Sequence, residues 1–151
     1  MIERIWKPNV TVAAVAFRDG RFLLVEEETD DGPRFNQPAG HLEAGESLLE
    51  AVSRECREET GYDFEPRHLL GIYQWPRPQG DVTYLRFAFV GELIGHDPER
   101  PLDVGILGPR WMTIEEIRAS TNRHRCPMIL RCAEDCLAGR RLPLDAIVHY
   151  G

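Results

Sequence analysis

No run in this chain is long and apolar enough to span a membrane, a task that takes roughly 20 consecutive apolar residues. The best candidate, VTVAAVAF (Val10–Phe17), has eight residues, includes a threonine, follows Pro8 and leads into Asp19-Gly20, a hairpin turn signal. It reads as a β-strand rather than the apolar core of a secretory signal. Basic charge is also short: 18 Lys and Arg face 25 Asp and Glu, giving a net charge of −7 and a pI near 5.2. That balance argues against a binder of duplex nucleic acid, which presents a basic face. Cysteines number four, at positions 56, 126, 132 and 136, without the paired C-x2-C knuckle of structural zinc sites. Cys126, Cys132 and Cys136 lie near His124, so zinc is the alternative to core packing. A helical reading from Pro127 to Leu137 puts Cys132 and Cys136 on one apolar face with Ile129 and Ala133, which favours core thiols and a reducing, cytoplasmic setting. Internal repeats, low-complexity tracts and linkers are missing as well.

What is present fits one domain over residues 1–151, a length that buries about 68–70% of the unfolded surface without staples. Val10–Phe17 and Arg21–Glu27 read as a hairpin around Asp19-Gly20. A helix is expected after Ser47 up to Thr60, with Ser47 and Glu50 as a capping box and Gly61 as its C-terminal stop. Two extended runs, Arg67–Trp75 and Val82–Leu93, form a second hairpin across a Pro- and Gly-rich turn. A polar loop over Gly95–Pro109 precedes a short strand, Arg110–Met112. Thr113 and Glu116 make another capping box, and Pro127 opens a last helix that ends at Gly139. The alternation predicts a mixed α/β fold, a sheet flanked by helices.

Charge is concentrated in one place. Between Glu43 and Glu65 there are eight acidic residues and two basic ones, Arg54 and Arg57, so −6 of the total −7 falls there. On a helical wheel Leu48, Leu49, Val52 and Cys56 form an apolar stripe, with Glu55, Glu58 and Glu59 in an arc of about 100° beside it. The spacing stacks three carboxylates in the last two turns, where mutual repulsion and the negative end of the helix dipole both oppose them. A hard divalent cation such as Mg²⁺, or Mn²⁺ in its place, reverses both effects. A solvated acidic helix edge is the plainer alternative.

The surrounding residues decide against that alternative. Gly40, Glu46, Arg54, Glu55, Glu58, Glu59 and Gly61 fill every fixed position of the pattern G-x5-E-x7-R-E-U-x-E-E-x-G-U, with Cys56 and Tyr62 at the two bulky apolar positions. Seven such matches arise by chance on the order of once in 10⁹ windows. The chain thus resembles the Nudix hydrolases, and further segments resemble a bacterial phosphatase of that family: Lys7–Val15, Asn36–Ala51, Gln74-Trp75, Leu85–Phe89, Arg110-Trp111 and Glu115-Glu116-Ile117. The resemblance implies an α/β/α sandwich with the box as loop–helix–loop. It implies Glu55, Glu58, Glu59 and the carbonyl of Ala39 as Mg²⁺ ligands, and an Arg54–Glu46 pair that orients them. It further implies cleavage of nucleoside tri- or diphosphates, or of thiamine pyrophosphate and its hydroxymethylpyrimidine pyrophosphate precursor.

Hydrolysis of a phosphoanhydride needs a cation on the phosphate oxygens and a base for water. Glu55 is the first candidate for the base, Glu59 the second, and Asp103 a candidate from outside the box. Arg86, alternating with Tyr84 and Ala88 on a strand, is a candidate phosphate contact or else an exposed strand arginine. Trp75, Tyr73 and Gln74 are candidates for stacking on and hydrogen-bonding a ring, with plain packing as the alternative for Trp75. Arg123, Arg125, Arg140 and Arg141 add positive charge near the C-terminus, His41 follows the box glycine, and His124 and His149 carry no signal. The partner expected is a small nucleotide or pyrophosphate, bound by a monomer or homodimer, with no duplex nucleic acid and no membrane. Cleavage of a nucleoside diphosphate linked to another group, a non-catalytic nucleotide sensor, and a module whose acidic helix meets a basic protein are the competing readings. No box glutamate is missing, as a sensor would allow, and a docking helix would leave Gly40 and Arg54 unexplained.

Overall fold

The computed structural model describes residues 3–151. The chain forms strands β1 (Asn9–Val15), β2 (Phe17–Arg18), β3 (Arg21–Thr29), β4 (Gly32–Asn36) and β5 (Ala39–His41), then helix α1 (Leu48–Thr60). Two long strands follow, β6 (Tyr62–Pro76) and β7 (Thr83–His96), then β8 (Ile106–Met112), α2 (Ile114–Ala119) and α3 (Met128–Leu137). One sheet has the order β5-β1-β7-β6, with β1 and β7 parallel and the other pairs antiparallel. The second joins β2, β3 and β4, with β8 on β3.

Strand alternation makes β1 the spine of the molecule, because successive side chains face opposite sides. Val12 and Ala14 pack with Leu23, Phe89 and the α1 residues Ala51, Val52 and Cys56. Ala13 and Val15 face the other way, toward Leu70, Ala88, Ile117 of α2, and Ile129, Cys132 and Ala133 of α3. The helices therefore cover both faces of a mixed sheet, as the sequence led us to expect. Val52 is completely buried, and burial of such a side chain contributes about 1.5–3 kcal/mol to holding α1 on the sheet. All four cysteines are free and buried, and three of them sit in the α3 core.

Both capping boxes form: Ser47 accepts from the Glu50 N–H and Thr113 from that of Glu116, each glutamate reaching back to its cap. Gly61 ends α1 at φ 76°, and a Cβ there would also run into the carbonyl oxygen of Asp97.

Two expectations are corrected. The first hairpin is short: only Phe17 and Arg18 pair with β3, opposite Phe22 and Arg21, while β1 belongs to the other sheet. The Asp19-Gly20 turn is real, but the chain changes sheets at Ala16, where the parallel match to β7 takes over. The loop expected over Gly95–Pro109 is also shorter, because β7 runs on to His96 and β8 already begins at Ile106, paired with β3.

Candidate active site

A cavity of about 490 Å³ opens where β5, the C-terminal half of α1, β7 and the loop before β8 meet. Glu55, Glu58, Glu59, Arg54, Ala39, Gly40 and His41 line it together with Arg86, Trp75, Tyr84 and Asp103. Glu55 is 8% exposed and Glu59 7%, so these carboxylates do not form a solvated helix edge.

The glycine of the box has a steric cause. A Cβ on Gly40 would overlap the Glu55 carboxyl group, so a bare backbone is what lets that group lie against β5. Arg54 grips both oxygens of Glu46, through Nε at 2.6 Å and Nη2 at 3.0 Å, a fork-on-fork pair. Its Nη1 reaches Glu55 at 2.9 Å and Glu58 at 3.2 Å, and Nη2 donates to the His41 carbonyl at 3.1 Å. One guanidinium thus neutralises part of the cluster and ties the box loop to the helix.

One group of carboxylates close enough to share a cation overlaps the set that the resemblance implied and adds Asp103 to it. Oxygens of Glu55, Glu58 and Asp103 lie within 4.8 Å of one another, a group able to hold a cation. Asp103 is delivered by its own backbone, whose N–H donates at 3.0 Å to the Glu58 carbonyl, an end-of-helix acceptor with no partner inside α1. Glu59 is turned aside and accepts the Ala39 N–H at 2.9 Å. Burial pushes its acid dissociation up to about 9, against the pull of the Ala39 hydrogen bond, with Glu55, Glu27 and Asp103 adding repulsion. Glu55 is raised to about 7 by the same burial, which outweighs the Arg54 contacts. Glu46 moves the other way, held low by its hydrogen bond with Arg54.

Arg86 is buried, not an exposed strand arginine, at 3% exposure. Neutral amides rather than a carboxylate hold it: Nη1 donates to Gln37 at 2.8 Å and Nη2 to Asn36 at 3.0 Å. Gln37 is 1% exposed and anchored in turn by its bond to the Ile129 carbonyl at 2.9 Å. The Arg86 Nε is buried and has no hydrogen-bond partner among the described residues. Trp75 stacks on Tyr84 across β6 and β7, ring centroids 5.9 Å apart. Gln74 is corrected: it is exposed and absent from the cavity lining, since period-two alternation turns it to the face opposite Trp75. Tyr73 is committed elsewhere, donating to Asp135 of α3 at 2.7 Å. Arg125 lines the cavity and lies 2.9 Å from Glu27, whereas Arg123 pairs with Glu26, and Arg140 and Arg141 stay outside the lining, as does His149. Thr11, Glu27, Asn36 and Arg77 are lining residues that sequence reasoning missed, Thr11 being set opposite His41 by the pairing of β1 with β5.

A NUDIX domain model matches residues 7–131. The chain belongs to the Nudix hydrolase family. This Nudix hydrolase is 42% identical over 146 residues to the phosphatase NudJ of Escherichia coli K12, covering 97% of this chain and 94% of that protein. The flanking segments that resembled a bacterial phosphatase are thereby borne out. A NUDIX hydrolase from Nitrosomonas europaea has 51% identity and a TM-score of 0.92, the match covering 95% of this chain and 98% of that one. A MutT NUDIX hydrolase from Burkholderia pseudomallei shares the fold at 20% identity and TM-score 0.73, over 86% of this Nudix hydrolase and 98% of its own chain. Nudix hydrolases use divalent metal ions, and the acidic cluster here is of a kind that could bind one.

Proposed function

We propose that this enzyme is a Mg²⁺-dependent phosphohydrolase that removes the terminal phosphate of nucleoside triphosphates and accepts diphosphates, with Mn²⁺ as a substitute cation. Thiamine pyrophosphate and its hydroxymethylpyrimidine precursor are further substrates under this reading. The observation that carries it is the sharing of one cavity by a carboxylate cluster and a buried arginine that no carboxylate among the described residues neutralises. A buried, uncompensated guanidinium is costly unless an anion joins it. The likeness to a protein named as a phosphatase points the same way.

The donor set fits a hard cation, because every candidate ligand is an oxygen: Glu55, Glu58 and Asp103, with Glu59 and the Ala39 carbonyl beside them. When bound, such a cation supplies positive charge at the phosphate oxygens and makes water more acidic. Arg86 holds the inner phosphates where its guanidinium group lines the cavity. Glu55, the first candidate for the base, takes the proton from water. The water oxygen bonds to the terminal phosphorus, the bridging P–O bond breaks, and the diphosphate departs with the bonding electrons. Arg54 stays paired with Glu46 and sets the direction of the Glu55 and Glu58 carboxylates. The four buried thiols suit a reducing cytoplasm.

Hydrolysis of ATP in ¹⁸O-water with Mg²⁺ tests the assignment. Label is expected in orthophosphate with ADP as co-product, and Arg86→Ala is expected to raise KM more than it lowers kcat. AMP and pyrophosphate as main products would move the enzyme to the pyrophosphohydrolase branch. Matching turnover of thiamine pyrophosphate, with and without Mg²⁺, tests the wider substrate range.

A further inference from the structure

A buried arginine is ordinarily met by a carboxylate, because an isolated charge in a dry interior is costly. Arg86 is met by two amides instead: Nη2 donates to Asn36 Oδ1 at 3.0 Å and Nη1 to Gln37 Oε1 at 2.8 Å. Asn36 lines the charged cavity, whereas Gln37 stands fully buried behind its wall. We propose that Gln37 is a positioning residue for the hydrolysis: its amide fixes the Arg86 fork while leaving the positive charge to be met by substrate phosphate. This role rests on the phosphohydrolase reading above, in which Arg86 holds the inner phosphates.

The chain leaves Gln37 little freedom. It follows β4 and precedes Pro38, a ring that restricts the backbone before it to extended shapes. Pro38 is itself tied down, its carbonyl accepting the Ala14 N–H of β1 at 2.9 Å. Neighbours along an extended segment point to opposite sides, so Asn36 meets the guanidinium from the cavity and Gln37 from the core. The far end of the Gln37 amide is used as well, since Nε2 donates at 2.9 Å to the Ile129 carbonyl in the first turn of α3. A guanidinium has donors alone and needs an oxygen, while a carbonyl needs a donor; an amide supplies both. Glutamate would answer Arg86 but set an oxygen against the Ile129 oxygen, and its charge would neutralise the group that recognises phosphate. Methionine has the length and neither hydrogen bond. Amide and carboxylate thus differ in what an arriving phosphate must displace: no counter-charge in the first case, a buried ion pair in the second.

KM and kcat for ATP with Mg²⁺ in the full-length enzyme separate the placing of charge from plain anchoring. Gln37→Glu is expected to raise KM about 30-fold and Gln37→Met about fivefold, the sizes of a charged and a neutral hydrogen bond. In both, kcat should stay within about threefold of wild type. Asn36→Asp sets a carboxylate on the same guanidinium from the wetter side, where screening leaves a rise in KM of about tenfold. That variant decides the matter where Gln37→Glu gives the circular-dichroism spectrum of an unfolded chain. Calorimetric binding of β,γ-methylene-ATP with Mg²⁺ should weaken in step with each rise in KM, which ties the change to affinity rather than turnover. A KM within twofold of wild type in both charged variants overturns the role of Gln37. So does a Gln37→Met enzyme with a higher KM than Gln37→Glu, since anchoring alone gives that order. Arg86→Ala with an unchanged KM overturns the phosphate contact itself, whatever Gln37 does.

Discussion

Replacing Glu59 by glutamine separates the cost of burying this carboxyl group from its use. In the metal-free protein Glu59 is 7% exposed and ionises only near pH 9, against an ordinary value of 4.5. Below pH 4.5 the group is protonated in folded and unfolded chains alike and contributes no pH dependence. Above that, the unfolded chain releases the proton while the folded one keeps it, so stability falls as pH rises, by about 1.4 kcal/mol per unit. At pH 7 the accumulated loss is about 3 kcal/mol. Glutamine is neutral throughout and its oxygen can still accept the Ala39 N–H. Metal-free Glu59→Gln is therefore expected to be more stable than wild type at pH 7 by about 3 kcal/mol, or roughly 6–12 °C in Tm for a chain of this size. The gap should close toward pH 4.5 and widen toward pH 9. Thermal melts in EDTA at pH 5, 7 and 8.5 provide the test. A difference that does not change with pH, or a variant less stable than wild type at pH 8.5, would refute the placement of Glu59 as a buried neutral acid. Added Mg²⁺ should raise the wild-type Tm more at pH 8.5 than at pH 6, since cation and proton compete for the same oxygens.

Glu58→Gln is expected to lower kcat by at least about 100-fold while the metal-free Tm stays level or rises, because a ligand charge and a source of repulsion leave together; steady-state kinetics with melts in EDTA check both. Arg54→Ala should reduce activity and also destabilise the metal-free protein by about 3 kcal/mol, since Glu46, Glu55 and Glu58 all lose a partner; a catalytic loss without a change in Tm would instead indicate direct substrate contact. Gly40→Ala is expected to displace the Glu55 carboxyl group and weaken Mg²⁺ binding, measured by calorimetry, with the circular-dichroism spectrum unchanged.

The box was legible because its geometry is local. Ser47, Glu50 and Gly61 mark the ends of α1 by hydrogen bonds that span three or four residues, and a 3.6-residue period places Glu55, Glu58 and Glu59 without knowledge of the rest of the chain. Asp103 was harder to place, since what brings it to Glu58 is a backbone bond between residues 45 positions apart, and only the acidic type hinted at it. Arg86 was visible as a strand residue, but its burial depends on Asn36 and Gln37, some 50 positions away. The misassigned partner of β1 has the same origin: a turn at Asp19-Gly20 announces a hairpin but not its length, and the parallel match to β7 leaves no nearby signature. Gln74 is different. Alternation along β6 already separates it from Trp75, so its exclusion was available from the sequence itself.

Arg54 has a consequence for how the enzyme lives with a changing ion supply. Because the guanidinium already sits among Glu46, Glu55 and Glu58, the chain carries an internal counter-ion and is expected to complete its fold without an imported one. A divalent ion would then act as a reversible reagent, unlike the zinc that small metal-folded domains require to exist at all. Depletion of the ion should leave a dormant, intact enzyme that revives on resupply without new synthesis, so that turnover follows the free divalent ion of its surroundings instead of the amount of protein made.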